Sequence, residues 1–173
     1  ATVSYGYGMS VSLLHLAKAY AILGNGGFNI EPTILKKNHN SQSGSRVLKK
    51  TTSDEMLKLL EAVVTDQRGT ARILRSKYYR IGGKTGTAEK ISLEKKGYQK
   101  DKVVANFVGL FPLQEPRFVI AAFLDEPENN LLQEPCRYAS CTVVPMVKKL
   151  IERTGPLMNV TPDNQALIFY RGL

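Results

Sequence analysis

Lys84-Thr85-Gly86-Thr87, inside RIGGKTGTAEK at residues 80–90, sets a cation beside two hydroxyls with a glycine between them. That combination binds anions, and two geometries could present it. A phosphate loop of the form GxxxxGK[ST] wraps glycine amides around a phosphate at a helix N-terminus. Counting back from Gly83 puts its first glycine at Tyr78, and Gly86-Thr87-Ala88 makes a poor helix start. No apolar strand precedes the loop either, so the phosphate reading fails. A β-strand does better. With a period of two, Thr85 and Thr87 share one side, and Lys84 and Gly86 the other. The glycine leaves the Lys84 face open to close approach by another element. Lys84 then supplies a fixed cation, the Thr85 and Thr87 hydroxyls bind a carboxylate, and a Thr87 N–H on an unpaired edge points at a developing oxyanion. One such donor is worth about 3–4 kcal/mol of transition-state stabilisation. Lys84 and Thr87 are thus the catalytic candidates, and Thr85, Gly86 and Thr87 the substrate-binding ones. The plain alternative is a surface hairpin strand that happens to carry Lys and Thr.

Other reactive side chains are sparse. Cys136 and Cys141 stand five apart without a CxxC pattern, which excludes the usual zinc spacings and favours two ordinary thiols over a disulfide. His15 falls on a mostly apolar helix and His39 in a polar loop, so neither belongs to a triad. No metal site and no cofactor motif is expected.

The elements that must position the strand follow from periodicity. A first helix is predicted over residues 11–23, with Ser10 as N-cap, Leu13, Leu14, Leu16, Ala17, Tyr20 and Ala21 as its apolar face, and Gly24 as its stop. NGG at 25–27 is turn chemistry, and residues 36–45 (KKNHNSQSGS) form a solvated loop. A second helix carries Thr52 and Glu55 at capping-box spacing and Met56, Leu59, Leu60, Val63 and Val64 on one face. DQRGTA (66–71) ends it. Strands are predicted over 78–88, 103–110 and 118–124, with a charged turn over 90–102. The last two strands are apolar on both faces and should be central and covered. A helix over 142–153 tolerates Pro145 in its first turn, and Met146, Val147, Leu150 and Ile151 form its stripe. The sum is α+β: an antiparallel sheet flanked by helices over residues 1–154, then a loosely attached tail over 155–173.

Composition adds one asymmetry. Residues 1–102 hold 18 Lys/Arg against 8 Asp/Glu, whereas residues 103–173 hold 6 against 7. The basic part suits an anionic partner: a carboxylate-bearing substrate, or, for a non-catalytic basic binding module, an anionic polymer or membrane surface. No aromatic-interleaved basic stripe supports nucleic acid. No apolar run approaches transmembrane length, and the opening ATVSYGYG carries no signal pattern, so Ala1 reads as a cut site.

KTGTAEK followed by NFVGLFP and PRFVIAAFLDEP closely resembles the C-terminal part of class B penicillin-binding proteins, the peptidoglycan D,D-transpeptidases. YGYGMSVSLLHLAKAYAILGNGG and LLEAVVTDQRGTAR resemble the segments upstream of that family's KTG strand, so the likeness runs from about residue 4 to 153. AEK and FVGLFP look more like the division-specific branch. The resemblance implies a partial penicillin-binding, serine-β-lactamase-like transpeptidase domain. It also implies that Lys84 tunes a serine pair electrostatically, that Thr85 and Thr87 bind the carboxylate of a stem peptide or β-lactam, and that the Thr87 amide is one oxyanion donor.

The family uses S-x-x-K, S-x-N and K-T-G. Only the third occurs here in place. Ser92-Leu93-Glu94-Lys95 lies after the KTG strand in a highly charged run, an accidental match, and no S-x-N precedes Lys84. The chain therefore reads as half of a domain, inactive alone, whose missing N-terminal half would carry the nucleophile. Its uncovered edges and faces should self-associate or disorder. By resemblance the parent is anchored in the bacterial inner membrane outside this chain, with this domain in the periplasm among divisome proteins. Tyr138 and Pro145 match a family stretch in which Cys136 and Cys141 are unusual.

Overall fold

The first helix starts from local capping chemistry, whereas a long-range contact positions the start of the second. The computed structural model describes residues 9–36, 44–91, 97–128 and 135–163. The first helix, α1 (Leu13–Gly24), is capped by Ser12, whose hydroxyl accepts the His15 amide at 3.2 Å. The cap is thus two residues beyond the expected Ser10. Asn25 ends the helix by exchanging two side-chain hydrogen bonds with the Phe28 backbone, both at 3.0 Å. Gly27 follows at φ +95°, and a Cβ there would stand 2.2 Å from the Leu48 carbonyl oxygen, so only glycine fits this turn.

The second helix, α2 (Lys50–Thr65), begins at Lys49 without a side-chain cap. Thr52 and Glu55 lie inside it, so the expected capping box does not form. The start is set instead by Ser53, fully buried, whose hydroxyl donates to the Leu23 carbonyl at the end of α1. That docking also rotates the buried face to Ser53, Leu60, Glu61, Val64 and Thr65, and leaves Leu59 62 % exposed. Arg75 returns to satisfy the orphan carbonyls of Val64 and Thr65 at the helix end.

Three antiparallel strands follow: β1 (Gly82–Ile91), β2 (Tyr98–Phe111) and β3 (Phe118–Asp125), in the order β1-β2-β3 among the described residues. The expected strand over 78–88 starts late, because Arg80 is drawn to α2, where Glu61 binds its guanidinium bidentately at 2.7 and 2.8 Å. The expected charged turn shortens, since β1 runs on to Ile91 and β2 begins at Tyr98, with a register irregularity between Glu89 and Lys90. Among the described strands only β2 is central; β3 is the opposite edge, and its Phe123 is 53 % exposed.

The sheet has two differently covered faces. Phe107 and Ala105 point to the side covered by α3 (Val143–Leu157) and pack with Val143, Val144, Val147 and Ile151. Leu110 points to the other side and meets Leu60, Tyr20 and Leu23 from α2 and α1. Burial raises the pKa of the Tyr20 phenol. No residue of α1 is fully buried, and Leu14 on its expected apolar face is 60 % exposed. On α3, Val147 and Ile151 are buried as expected, but Met146 and Leu150 are exposed, and Val143 and Val144 take their places. α3 continues to Leu157, Val160 is buried, and the Asp163 amide donates to the Tyr78 carbonyl at 2.7 Å. The boundary expected at 154/155 thus falls inside a helix, and residues 155–163 pack on the domain. Residues 164–173 lie outside the described ones.

Candidate active-site wall

β1 is an edge strand, and along it Lys84, Thr85, Gly86 and Thr87 pair with Val108, Phe107, Asn106 and Ala105 of β2. Its outer edge pairs with no strand among the described residues. Gly83 sets how closely the two strands approach. A Cβ there would lie 2.3 Å from Cζ of Phe107 and 2.6 Å from the Val108 carbonyl oxygen.

The alternation places Thr85 and Thr87 on the α3 side of the sheet and Lys84 with Gly86 on the other. Both hydroxyls have partners distant in sequence. Thr85 Oγ1 lies 2.7 Å from Thr70 Oγ1, and Thr87 Oγ1 accepts the Ala139 amide at 3.1 Å. Thr70 is held there by the turn after α2. The Arg68 amide donates to Asp66 Oδ1 at 2.7 Å, and a Cβ on Gly69 would stand 2.3 Å from the Val63 carbonyl oxygen. Ala139, buried just before α3, is held from behind by the Val144 amide, which donates to its carbonyl at 2.9 Å.

These partners leave donor capacity. A hydroxyl has one O–H and two acceptor lone pairs. Among the described residues Thr87 uses only a lone pair, on the Ala139 amide, so its proton remains to donate. Thr70 and Thr85 share one proton between them, and the second stays available. The wall thus keeps two O–H donors, which is what a carboxylate with two oxygens accepts.

Lys84 is exposed, and its ammonium donates to the carbonyl of Thr85 at 2.8 Å. The Gly86 face is less open than expected. The Asn106 amide covers it, with Oδ1 2.6 Å from where a Cβ would be. Asn106 is the one polar residue in VVANFVGL, a signal passed over in the sequence. Thr70 was also missed, though RGTA carried the only hint, and nothing local marks Ala139. Beside Thr70 a cavity of about 380 Å³ is lined by Gly69, Thr70, Arg72, Ile73 and Ser140.

At the far end of β1, Lys90 binds Asp125 at 2.9 Å and Glu126 at 2.8 Å, and Lys102 reaches Glu126 at 3.5 Å. The Glu126 hydrogen bond, then that of Asp125, raises the Lys90 pKa; the Lys90 hydrogen bond chiefly lowers that of Glu126. The signs follow by linkage. Stabilisation through Glu126 is present above its unfolded pKa and fades as pH falls through the lower folded value. Stabilisation through Lys90 is complete below its unfolded pKa and is lost as pH rises through the higher folded one. Lys90→Met should move the Glu126 titration, followed by NMR, upward toward the ordinary carboxylate value. An unmoved Glu126 would show that the pair does not form in solution.

The remaining candidates take other places. Cys136 and Cys141 form a disulfide with Cα atoms 6.2 Å apart, not two thiols. The five-residue spacing permits it because the chain turns back through Tyr138, whose carbonyl accepts from the Cys141 and Thr142 amides. His15 is exposed and lies 2.9 Å from Ser12 Oγ, a capping contact at the start of α1 and not a core position. His39 and Ser92 to Lys95 lie outside the described residues. Among the described residues no helix is long and apolar enough to cross a membrane, and no group of three or more His, Cys, Asp or Glu gathers as a metal site.

Comparison with known proteins matches this arrangement to one family. Residues 1–151 match the penicillin binding protein transpeptidase domain. The chain is 33 % identical over 162 residues to a probable peptidoglycan D,D-transpeptidase PenA of Neisseria flavescens, covering 94 % of this chain and 38 % of that protein. It is 34 % identical over 167 residues to a probable peptidoglycan D,D-transpeptidase FtsI of Caulobacter vibrioides, covering 92 % and 28 %. The transpeptidase domain of penicillin-binding protein 3 from Burkholderia pseudomallei superposes with a TM-score of 0.81 at 38 % identity, over 94 % of this chain and 47 % of that one. The chain thus spans less than half the length of each of these relatives. With its α+β sheet, edge KTG strand and match over most of its length, the chain belongs to the penicillin-binding protein transpeptidase family, among homologues of the division-specific FtsI and PBP3 type of class B.

Proposed function

We propose that this chain forms the carboxylate-binding wall of a serine D,D-transpeptidase that crosslinks peptidoglycan stem peptides and is acylated by β-lactams. The observation that carries the reading is the edge strand, which bears Lys84, Thr85 and Thr87 with two hydroxyl protons left to donate. The opposite wall, with S-x-x-K and S-x-N, is supplied by a half of the domain outside this chain, since neither motif precedes Lys84 here. In the complete site a serine, its proton taken by a neighbouring base, attacks the carbonyl of the penultimate D-alanine. The Thr87 amide and the nucleophile's own N–H stabilise the oxyanion, while Thr85 and Thr87 hold the terminal carboxylate. Lys84 keeps a positive potential over the serine. Collapse releases D-alanine, and an amine from a second stem peptide takes the acyl group. A β-lactam follows the first half of this course and stays on the serine.

The parent protein works at the outer face of the bacterial inner membrane, in the periplasm, within a division complex. The Cys136–Cys141 disulfide supports that placement, because such bonds persist in oxidising compartments. The exposed apolar positions of α1 are where the missing half docks, and the open edge of β1 faces that half's serine across the cleft. Two results are expected. The complete protein labels covalently with a fluorescent penicillin, whereas the 173-residue chain does not. The isolated chain also self-associates through its open edge, giving light-scattering masses above that of one chain. Covalent labelling of the isolated chain would overturn the division of the site. A complete protein that never labels but binds anionic vesicles would turn the reading toward a basic binding module.

A further inference from the structure

We propose that the Cys136–Cys141 disulfide is a positioning element of the candidate site, holding the turn that orients the Thr87 hydroxyl. The inference rests on the function proposed above. Its geometry is local. The disulfide closes the segment from Cys136 to Cys141, which contains Ala139, and the buried Ala139 amide donates to Thr87 Oγ1 at 3.1 Å. On the C-terminal side the turn is tied to α3 by three hydrogen bonds. Tyr138 O accepts from the Thr142 amide at 3.2 Å and from the Thr142 hydroxyl at 2.8 Å, and Ala139 O accepts from the Val144 amide at 2.9 Å. On the N-terminal side Arg137 reaches Glu128 at 2.7 Å, an ion pair between partly exposed side chains that water and salt weaken. The disulfide adds a covalent restraint on that side, where Cys136 is also held by a backbone β-bridge.

The consequence reaches the substrate. By filling a lone pair of Thr87 Oγ1, the Ala139 amide selects one hydroxyl position and leaves the O–H to donate outward. Without that contact the side chain samples its other staggered wells, and the donor is no longer preorganised for a carboxylate. The neighbouring residue Ser140 lines a cavity together with Thr70, the hydroxyl partner of Thr85.

A dithiol reductant tests this without altering the sequence. One of its thiolates attacks a sulfur of the disulfide, and the second resolves the mixed disulfide. Two cysteine thiols appear, and the reductant leaves as its cyclic disulfide, a two-electron exchange. The protein is the complete domain, this chain joined to its S-x-x-K half, as oxidised, as reduced with both thiols counted by alkylation and mass, and as Cys136→Ser/Cys141→Ser. Two readouts are taken: hydrogen exchange of the Ala139 amide by NMR, and penicillin acylation kinetics. The expected result is faster Ala139 exchange and an acylation efficiency lowered about tenfold in the reduced and double-serine forms. The loss lies in apparent affinity, with the rate at saturation nearly unchanged, as expected for a carboxylate contact made equally in ground and transition states. Thr87→Val, itself impaired, should show no further loss on reduction. Unchanged Ala139 exchange, or an equal further loss in Thr87→Val, would overturn the inference. If the oxidised domain does not acylate at all, the proposed function fails, and Ala139 exchange alone still decides whether the disulfide holds this turn.

Discussion

Lys84→Ala in the complete protein is expected to lower the second-order rate of penicillin acylation by about 100-fold or more, with the fold unaffected. A hundredfold corresponds to about 2.7 kcal/mol of transition-state stabilisation, in the range observed when one electrostatic contributor is removed from an acyl-transfer site. Lys84 can supply this because it stands on the edge strand, next to Thr85 in the chain, with its ammonium bound, among the described residues, only to the adjacent carbonyl of Thr85. An exposed side chain with a local partner contributes little to folding, so the unfolding free energy should stay within about 0.5 kcal/mol of wild type. The contrast between large kinetic loss and unchanged stability is the signature. Lys84→Arg should not restore the rate, since a planar fork is not a point charge on a flexible stem. Equal labelling of wild type and Lys84→Ala would remove Lys84 from the mechanism and leave only the threonines.

Phe107→Ala should destabilise the protein by about 3–5 kcal/mol, the usual cost of deleting a core aromatic ring. Phe107 is 0 % exposed and is among the largest fully buried side chains. It sits under the site, opposite Thr85 in the β1–β2 register and opposite Ala122 in the β2–β3 register. Its ring also explains two glycines, since a Cβ on Gly83 or Gly109 would lie 2.3 or 2.7 Å from ring carbons. Gly83→Ala should therefore cost less in the Phe107→Ala background than in wild type, a coupling that a double-mutant cycle measures. Relief is incomplete, because the new methyl still meets the Val108 carbonyl oxygen at 2.6 Å. Denaturant unfolding checks both statements. A loss under about 1 kcal/mol for Phe107→Ala would mean that the β1–β2 core is not the support drawn here.

Much of this was legible because it is local. The helices and strands appear in the expected order, since the spacing of apolar residues reflects the period of each element. The errors fall where a distant contact outweighs a local preference. Ser53 docks on Leu23, thirty residues away, and this starts α2 at Lys50 and cancels the Thr52–Glu55 box. Glu61 captures Arg80 and delays β1. The two thiols became a disulfide because the chain folds back through Tyr138, which the spacing alone does not reveal.

For the wall itself, KTGT settled which groups are present and, through the period of two, that both threonines share a side. The tertiary structure decided what each hydroxyl has left to offer. Thr70 stands 15 residues before Thr85, and Ala139 stands 52 residues after Thr87. Hydrogen bonds across such separations depend on how helices and sheet pack, and packing leaves no periodic trace in the sequence. The chemistry of each residue is written in its side chain, but whether its proton is free is set by its neighbours in space.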